Sequence, residues 1–195
     1  METVNVELFG RDPKVQKAVS VASNVSVTKA PVLIAGETGV GKRTLARFIH
    51  ENSNRTGQPF EMVDCSADAQ AVENAILGWR DQEGRFNKGA LEKANQGTVV
   101  FANVDGLEDE FQKKLHKIIT ELEDYDIDVR IVATTTKNLS KLVGSGRFYR
   151  GLYTHVSNNT VSLSPLRERI HDLEMMAQHF VNEFSGGNSI SIDQS

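Results

Sequence analysis

Several features are scarce in this 195-residue sequence, and each scarcity excludes a class of protein. The single cysteine, Cys65, excludes an intramolecular disulfide. No apolar run approaches the roughly 20 residues that a membrane-spanning helix needs, and no signal-peptide pattern opens the sequence. Basic residues are not in excess, since the formal net charge is −4, which argues against a general nucleic-acid or anionic-membrane surface. We therefore expect a cytoplasmic protein with no membrane contact, in which Cys65 is buried at a strand end.

What the sequence does contain is the composition of an ordinary globular domain, with 39% apolar and 25% charged residues. Apolar periodicity predicts strands, at 31–35, 60–63, 98–102, 129–134 and 160–163. It also predicts a first helix that begins at Asp12-Pro13 and further helices at 42–50, 68–77, 108–121 and 170–184. A helical turn or two is expected in 89–95. The polar segment 78–89 has no period and is expected to be a loop. Strands that alternate with helices indicate an α/β fold with a central parallel sheet covered on both faces.

A glycine-rich loop stands between the first strand and its helix. It has the form G-x-x-x-x-G-K and consists of Gly36, Glu37, Thr38, Gly39, Val40, Gly41 and Lys42. Glycines let successive backbone N–H groups turn inward around phosphate oxygens, and the lysine adds a positive charge. With the next two residues, Arg43 and Thr44, this loop is the predicted nucleotide-binding segment.

The residues that hydrolysis needs are harder to find. Hydrolysis of a nucleoside triphosphate requires a carboxylate that holds Mg²⁺ and a group that orients or activates water. Such residues are expected at the end of a later apolar strand, but strand 98–102 ends in Ala102 and Asn103. The five histidines show no metal-ligand spacing, so no protein metal site is predicted. The sequence therefore predicts a domain that holds a nucleotide and is poorly equipped to cleave it.

Several segments together resemble a known family. They are the entry segment 9–13, the loop 36–42, the helix segment 46–50, the run 97–115, the strand 129–135 and the run 165–173. Over 7–184 the chain resembles the central AAA+ domain of the sigma-54-dependent transcription activators, the NtrC-like bacterial enhancer-binding proteins. The resemblance implies a three-layer α/β/α P-loop NTPase domain over 1–184 that binds ATP or ADP. The helical lid that follows in the family is missing or truncated, with 185–195 as a tail or its beginning.

The departures from this family fall on its functional positions. The family's Asp-Glu pair is replaced by Ala102-Asn103, and the gapless match places Asp105 two residues too late to substitute. The remaining departures are Thr136 for the first-sensor Asn, Tyr149 and His155 for two arginine fingers, Asn87 for the threonine of the sigma-contacting loop, and Arg43 where relatives have Glu. Arg43 is expected to be an exposed helix arginine, with phosphate neutralisation in place of Mg²⁺ as the alternative. Thr44 lies one position further round the helix than a metal-binding hydroxyl would.

One departure carries its own compensation. In relatives an Asn at the end of the second strand hydrogen-bonds the catalytic Glu. In this chain the position of that Asn is Asp64, and the position of the catalytic Glu is Asn103. The acid and the amide are therefore exchanged, and a hydrogen bond between them could survive. Asp64 is then a possible substitute base, although nothing replaces the aspartate lost at Ala102. No catalytic residue is assigned.

Three hypotheses follow from the sequence. The first is a hydrolysis-defective regulatory domain whose nucleotide sets association with itself or with transcription-regulatory proteins, as in two-component systems. The second is an active ATPase that remodels sigma-54 RNA polymerase with Asp64 as base. The third is a protein-interaction module whose loop no longer binds nucleotide. No helix-turn-helix is visible, so DNA binding by this segment is not predicted, and whether Mg²⁺ accompanies the nucleotide stays open.

Overall fold

The computed structural model describes residues 10, 12–169, 172 and 177 of the chain. Within them the strands are β1 Val32–Ala35, β2 Phe60–Asp64, β3 Gly78–Arg80, β4 Phe86–Lys88, β5 Thr98–Ala102, β6 Arg130–Thr135 and β7 Asn159–Ser162. The helices are α1 Pro13–Ser26, α2 Lys42–Glu51, α3 Ala69–Leu77, α4 Ala90–Lys93, α5 Asp109–Thr120, α6 Leu139–Gly144 and α7 Arg150–Val156. None of these helices combines the length and the apolarity that crossing a bilayer requires.

The described residues form one parallel sheet of five strands in the order β2-β5-β6-β1-β7. Every neighbouring pair in it is parallel, as expected for strands joined through helices. β1 therefore lies between β6 and β7, and all five strands end at the same edge. Asp64 pairs with Ala102 across β2 and β5, and Ala35 pairs with Thr135 across β1 and β6.

Helices cover both faces of this sheet and create two hydrophobic cores. α1 and α2 pack against one face, where Val100 and Val132 point. The helices α3, α4, α5 and α7 pack against the other face, where Phe101 and Ile131 point. Successive strand residues alternate between the two cores because side chains along a strand have a period of two. The predicted three-layer α/β/α arrangement with a central parallel sheet is confirmed.

Local sequence explains where the helices begin. Asp12 caps α1, since its carboxylate accepts a hydrogen bond from the Lys14 N–H, and Pro13 occupies the first helical position. Asp68 caps α3 in the same way through the Ala71 N–H. Cys65 follows β2 and is 1% exposed, so its predicted burial at a strand end is confirmed.

The structure corrects the prediction for the segment 78–89, which is not a loop. β3 and β4 pair there as an antiparallel hairpin, with Trp79 opposite Asn87. The hairpin has no apolar alternation because both of its faces are exposed, as the half-exposed Trp79 and Phe86 show. α6 and α7 were also not predicted. The predicted helix 170–184 and the tail 185–195 lie outside the described residues, apart from Asp172 and Ala177.

Gly97 is the residue that allows β5 to start beside β2, and this gives a test of the fold. A Cβ atom at Gly97 would lie 1.9 Å from the Pro59 carbonyl oxygen, whereas at Gly144 it would meet nothing within 4 Å. We expect Gly97→Ala to lower the free energy of unfolding by about 1–3 kcal/mol, because the backbones must separate. Gly144→Ala, the matched control, should change it by about 0.5 kcal/mol or less. Urea denaturation measures both, and equal losses in the two variants would contradict this packing.

Candidate functional site

The candidate site lies where the parallel strands end, beyond β1 and its neighbours. The glycine-rich loop follows β1, Asp64 ends β2, and Asn103 follows β5. Because β5, β6 and β1 are adjacent in one parallel sheet, the residues after these strands meet at the same edge. Ligands of open α/β sheets bind in the crevice at this edge.

The glycines of the loop have the conformations that its shape requires. Gly39 and Gly41 have φ angles of 82° and 96°, in the left-handed region that other residues rarely adopt. Gly41 also stands directly before α2, so the free N–H groups of that helix open toward the loop. At Gly36 a side chain would lie 2.9 Å from both the Leu163 carbonyl oxygen and a methyl group of Val40. The loop is therefore closely packed at Gly36, whereas a side chain at Gly39 would meet nothing within 4 Å.

Lys42 closes the loop from the first turn of α2. Its ammonium donates hydrogen bonds to the carbonyl oxygens of Gly36, at 2.8 Å, and of Glu37, at 2.7 Å. The residue is 8% exposed, and this burial lowers the pKa of Lys42, while the negative charge of Asp105 acts in the opposite direction. A buried ammonium held by weak neutral acceptors is suited to exchange them for anionic oxygens.

Two arginines after β7 hold the loop from its outer side, and sequence reasoning did not assign them to the site. Arg167 donates two parallel hydrogen bonds to the Glu37 carboxylate, at 2.6 and 2.8 Å. Arg169 is buried and donates to the Val40 carbonyl oxygen at 3.0 Å. Their i, i+2 spacing five and seven residues after the end of β7 is a signal that could have indicated a role at this edge.

The predicted hydrogen bond between the exchanged acid and amide is confirmed. The Asn103 side-chain amide donates to Asp64 Oδ1 at 3.0 Å. The same oxygen accepts from the Ser66 hydroxyl at 2.6 Å and from the Ser66 N–H at 3.1 Å. The Ser66 hydroxyl foremost, followed by Asn103, the Ser66 amide and the charge of Arg43, lowers the pKa of Asp64 to about 2 against the opposing effect of burial. A carboxylate with so low a pKa is a weak base at neutral pH.

Arg43 completes this network. Its side chain is 60% exposed, as expected for a helix arginine, but its guanidinium forms an ion pair with Asp64 Oδ2 at 2.6 Å. The two partners come from α2 and β2, so the pair bridges the loop helix and the edge of the sheet. Thr44, the next residue, is exposed.

Asp105 lies on a short 3-10 turn, Val104–Gly106, after β5. Its carboxylate accepts a hydrogen bond from the Thr135 hydroxyl at 2.7 Å and pairs with the Lys137 ammonium at 3.3 Å. The side chain is 6% exposed. Asp105 is thus tied to the end of β6, next to Thr136, where the resemblance implies the first sensor, and does not occupy the place of an aspartate at position 102.

The other departing positions lie on separate elements. Tyr149 precedes α7, and its backbone N–H donates to the Gln112 side chain at 2.6 Å. His155 is half-buried on α7 with its ring 6.2 Å from that of His116, and burial foremost lowers the pKa of His155. Asn87 lies in the β3–β4 hairpin. Among the described residues, no group of three or more His, Cys, Asp or Glu side chains is arranged to hold a metal ion.

Comparison with known proteins identifies relatives over nearly the whole chain. The family described as Sigma-54 interaction domain matches residues 8–162. The Nif-specific regulatory protein of Azospirillum brasilense is 33% identical over 92% of this chain, and the sigma54-dependent transcriptional regulator SfnR of Pseudomonas fluorescens is 34% identical over 89%. The chain spans only 31% and 51% of these two relatives.

Solved structures give the same result at the level of three-dimensional similarity. NtrX from Brucella abortus in complex with ATP matches with a TM-score of 0.81 at 25% identity, over 95% of this chain and 45% of NtrX. NtrX in complex with ADP matches with a TM-score of 0.82 at the same identity, over 93% and 44%.

The depressed pKa of Asp64 gives a prediction on pH. The pKa of Asp64 is about 2 in the folded chain and has its ordinary value of 3.8 in the unfolded chain. The ionised Asp64 therefore contributes stability above pH 3.8 that is lost as the pH falls toward 2. We expect the difference in free energy of unfolding between the native chain and Asp64→Asn to be constant from pH 7 to pH 5. It should shrink between pH 4 and pH 2, as measured by urea denaturation. A difference that does not change with pH would show that the Asp64 network does not favour the charged form.

Proposed function

The chain belongs to the sigma-54 interaction domain family, and from this premise we propose that it is the ATP- or ADP-binding AAA+ domain of a transcription regulator. The observation that carries the proposal is the arrangement of Lys42. Its buried ammonium lies over a loop whose glycines adopt the conformations of a phosphate cradle, at the amino end of α2. Phosphate oxygens would replace the two carbonyl oxygens that now accept from Lys42. The ATP and ADP complexes of NtrX support the same ligands for this chain.

The domain we propose is defective in hydrolysis. The side chain of Ala102 offers no ligand atom, and the nearest strand-end acid, Asp64, accepts hydrogen bonds from Ser66 and Asn103 and pairs with Arg43. Loss of a positioned general base typically costs about 10²–10⁴ in rate. Loss of transition-state arginines costs about 10³–10⁵ more. The geometry therefore favours binding without turnover over an ATPase that uses Asp64 as base.

The output of such a domain would be association. We propose that nucleotide occupancy sets contacts with further copies of the chain or with transcription-regulatory proteins in the cytoplasm, including those of two-component systems. The sigma-54 contact is proposed to be weakened, because the hairpin Gly78–Lys88 is short and carries Asn87 where the resemblance implies threonine. DNA binding is not proposed for this segment.

The first test is binding of nucleotide through Lys42. We expect a fluorescent ATP analogue to bind the native chain, and Lys42→Ala to weaken binding about tenfold or more, because charge-assisted hydrogen bonds to phosphate are lost. Lys117→Ala, on the exposed side of α5, is the matched control and should bind as the native chain does. Fluorescence anisotropy measures all three. If folded protein does not bind nucleotide at millimolar concentration, the proposal is wrong and the hypothesis of a protein-interaction module is supported.

The second test concerns turnover. Phosphate release from ATP in the presence of Mg²⁺ should stay at the level of the buffer, and Asp64→Ala should not change it. A coupled phosphate assay at saturating nucleotide measures both. Magnesium-dependent release that disappears in Asp64→Ala would contradict the proposal and establish the ATPase hypothesis.

A further inference from the structure

The carboxylates at the candidate site do not fit a magnesium ion. Mg²⁺ requires oxygen ligands in near-octahedral geometry at about 2.0–2.1 Å, and P-loop enzymes supply one or two carboxylates for it. Here position 102 is alanine. The two oxygens of Asp64 accept from four donors, two of Ser66, one of Asn103 and one of Arg43. Three of these donors share Oδ1, so the acceptor site that is left lies on Oδ2, where a metal ion would stand beside the like-charged Arg43 guanidinium.

The second acid at this edge, Asp105, also has partners for its carboxylate. Asp105 accepts from the Thr135 hydroxyl and pairs with the Lys137 ammonium. Lys42, Arg43 and Lys137 therefore lie around Asp64 and Asp105, and both of these carboxylates already have partners. The third acid, Glu37 of the loop, is paired with Arg167. A divalent cation placed among the three cationic side chains would be repelled by these like charges, because the acids beside them are already paired.

Arg43 occupies a position from which it can replace the ion. It follows Lys42 directly in the first turn of α2, on the side of β2, and Asp64 holds its guanidinium at 2.6 Å. The charge of Arg43 is close enough to Lys42 to contribute to the lowered pKa of the lysine. A guanidinium has five N–H donors in a planar fork that matches phosphate geometry, and the Asp64 contact uses one terminal nitrogen.

We propose that the Arg43 guanidinium, held by Asp64, is the cation that neutralises the phosphates of the bound nucleotide, so that this chain binds nucleoside di- or triphosphates without Mg²⁺. The inference rests on the proposed nucleotide binding and adds the identity of the counter-charge. Asn103 and Ser66 act as positioning residues, because they hold the Asp64 carboxylate that orients Arg43. An isolated surface ion pair contributes little, but this one is anchored by three further hydrogen bonds.

The experiment compares ATP binding in two buffers, one with millimolar Mg²⁺ and one with EDTA. Calorimetric titration of the native chain should give dissociation constants within about twofold of each other. In EDTA, Arg43→Gln should weaken binding about tenfold, and Arg43→Lys, which retains a cation, should weaken it less. Arg47→Ala is the matched control, because Arg47 lies one turn further along α2, is 52% exposed, and stacks on Phe60 instead of facing the site. It should bind as the native chain does in both buffers.

Two kinds of result would contradict this proposal, and they differ in whether nucleotide binding itself is retained. Binding by the native chain that tightens tenfold or more with Mg²⁺, or Arg43→Gln binding unchanged in EDTA, would overturn the role of Arg43 while leaving nucleotide binding intact. No binding in either buffer, by protein that still unfolds cooperatively, would overturn the proposed function and this inference together. Arg43 is exposed, so its variants are expected to fold, and their melting temperatures verify this.

Discussion

The parallel register of the sheet is the constraint on which the candidate site depends. β1 lies between β6 and β7, and β5 lies between β2 and β6, so the chain leaves each strand at the same edge. The loop at Gly36, the acid at Asp64 and the amide at Asn103 lie at the ends of three different strands, β1, β2 and β5. They meet only because Asp64 is level with Ala102 and Ala35 is level with Thr135. The close approach of Gly97 to Pro59 allows this register to begin.

Charge compensation at this edge links three unusual residues of the chain, Arg43, Asp64 and Asn103. Compared with the pattern that the family resemblance implies, the acid and the amide are exchanged between positions 64 and 103, which keeps a hydrogen bond and places the negative charge on β2. There it faces Arg43, and the two charges form a pair. The exchange and the arginine are thus two parts of one arrangement. A carboxylate stabilised in this way is poorly suited to accept a proton, which connects the ion pair to the proposed loss of hydrolysis.

Much of the fold could be predicted from the sequence, because strands buried on both faces and amphipathic helices carry strong periodic patterns. The five sheet strands agree with their predicted ranges to within one residue at each end. The failures have a physical cause. The hairpin Gly78–Lys88 buries neither face, and α6 and α7 are too short for a clear 3.6-residue period. Arg167 lies 130 residues from Glu37 in the chain, so no local pattern could reveal their contact.

By itself, the sequence determined that a glycine-rich loop precedes a helix and that no acid stands at position 102. These are local properties, since the pattern of a phosphate cradle needs only closely spaced glycines, a lysine and a strand–helix junction. Only the tertiary structure decided what the remaining acids do. Whether Asp64 is free to bind a metal or to act as a base depends on the donors around it. Arg43 and Asn103 come from other elements, and the register of the sheet, not the order of residues, brings them within hydrogen-bond distance.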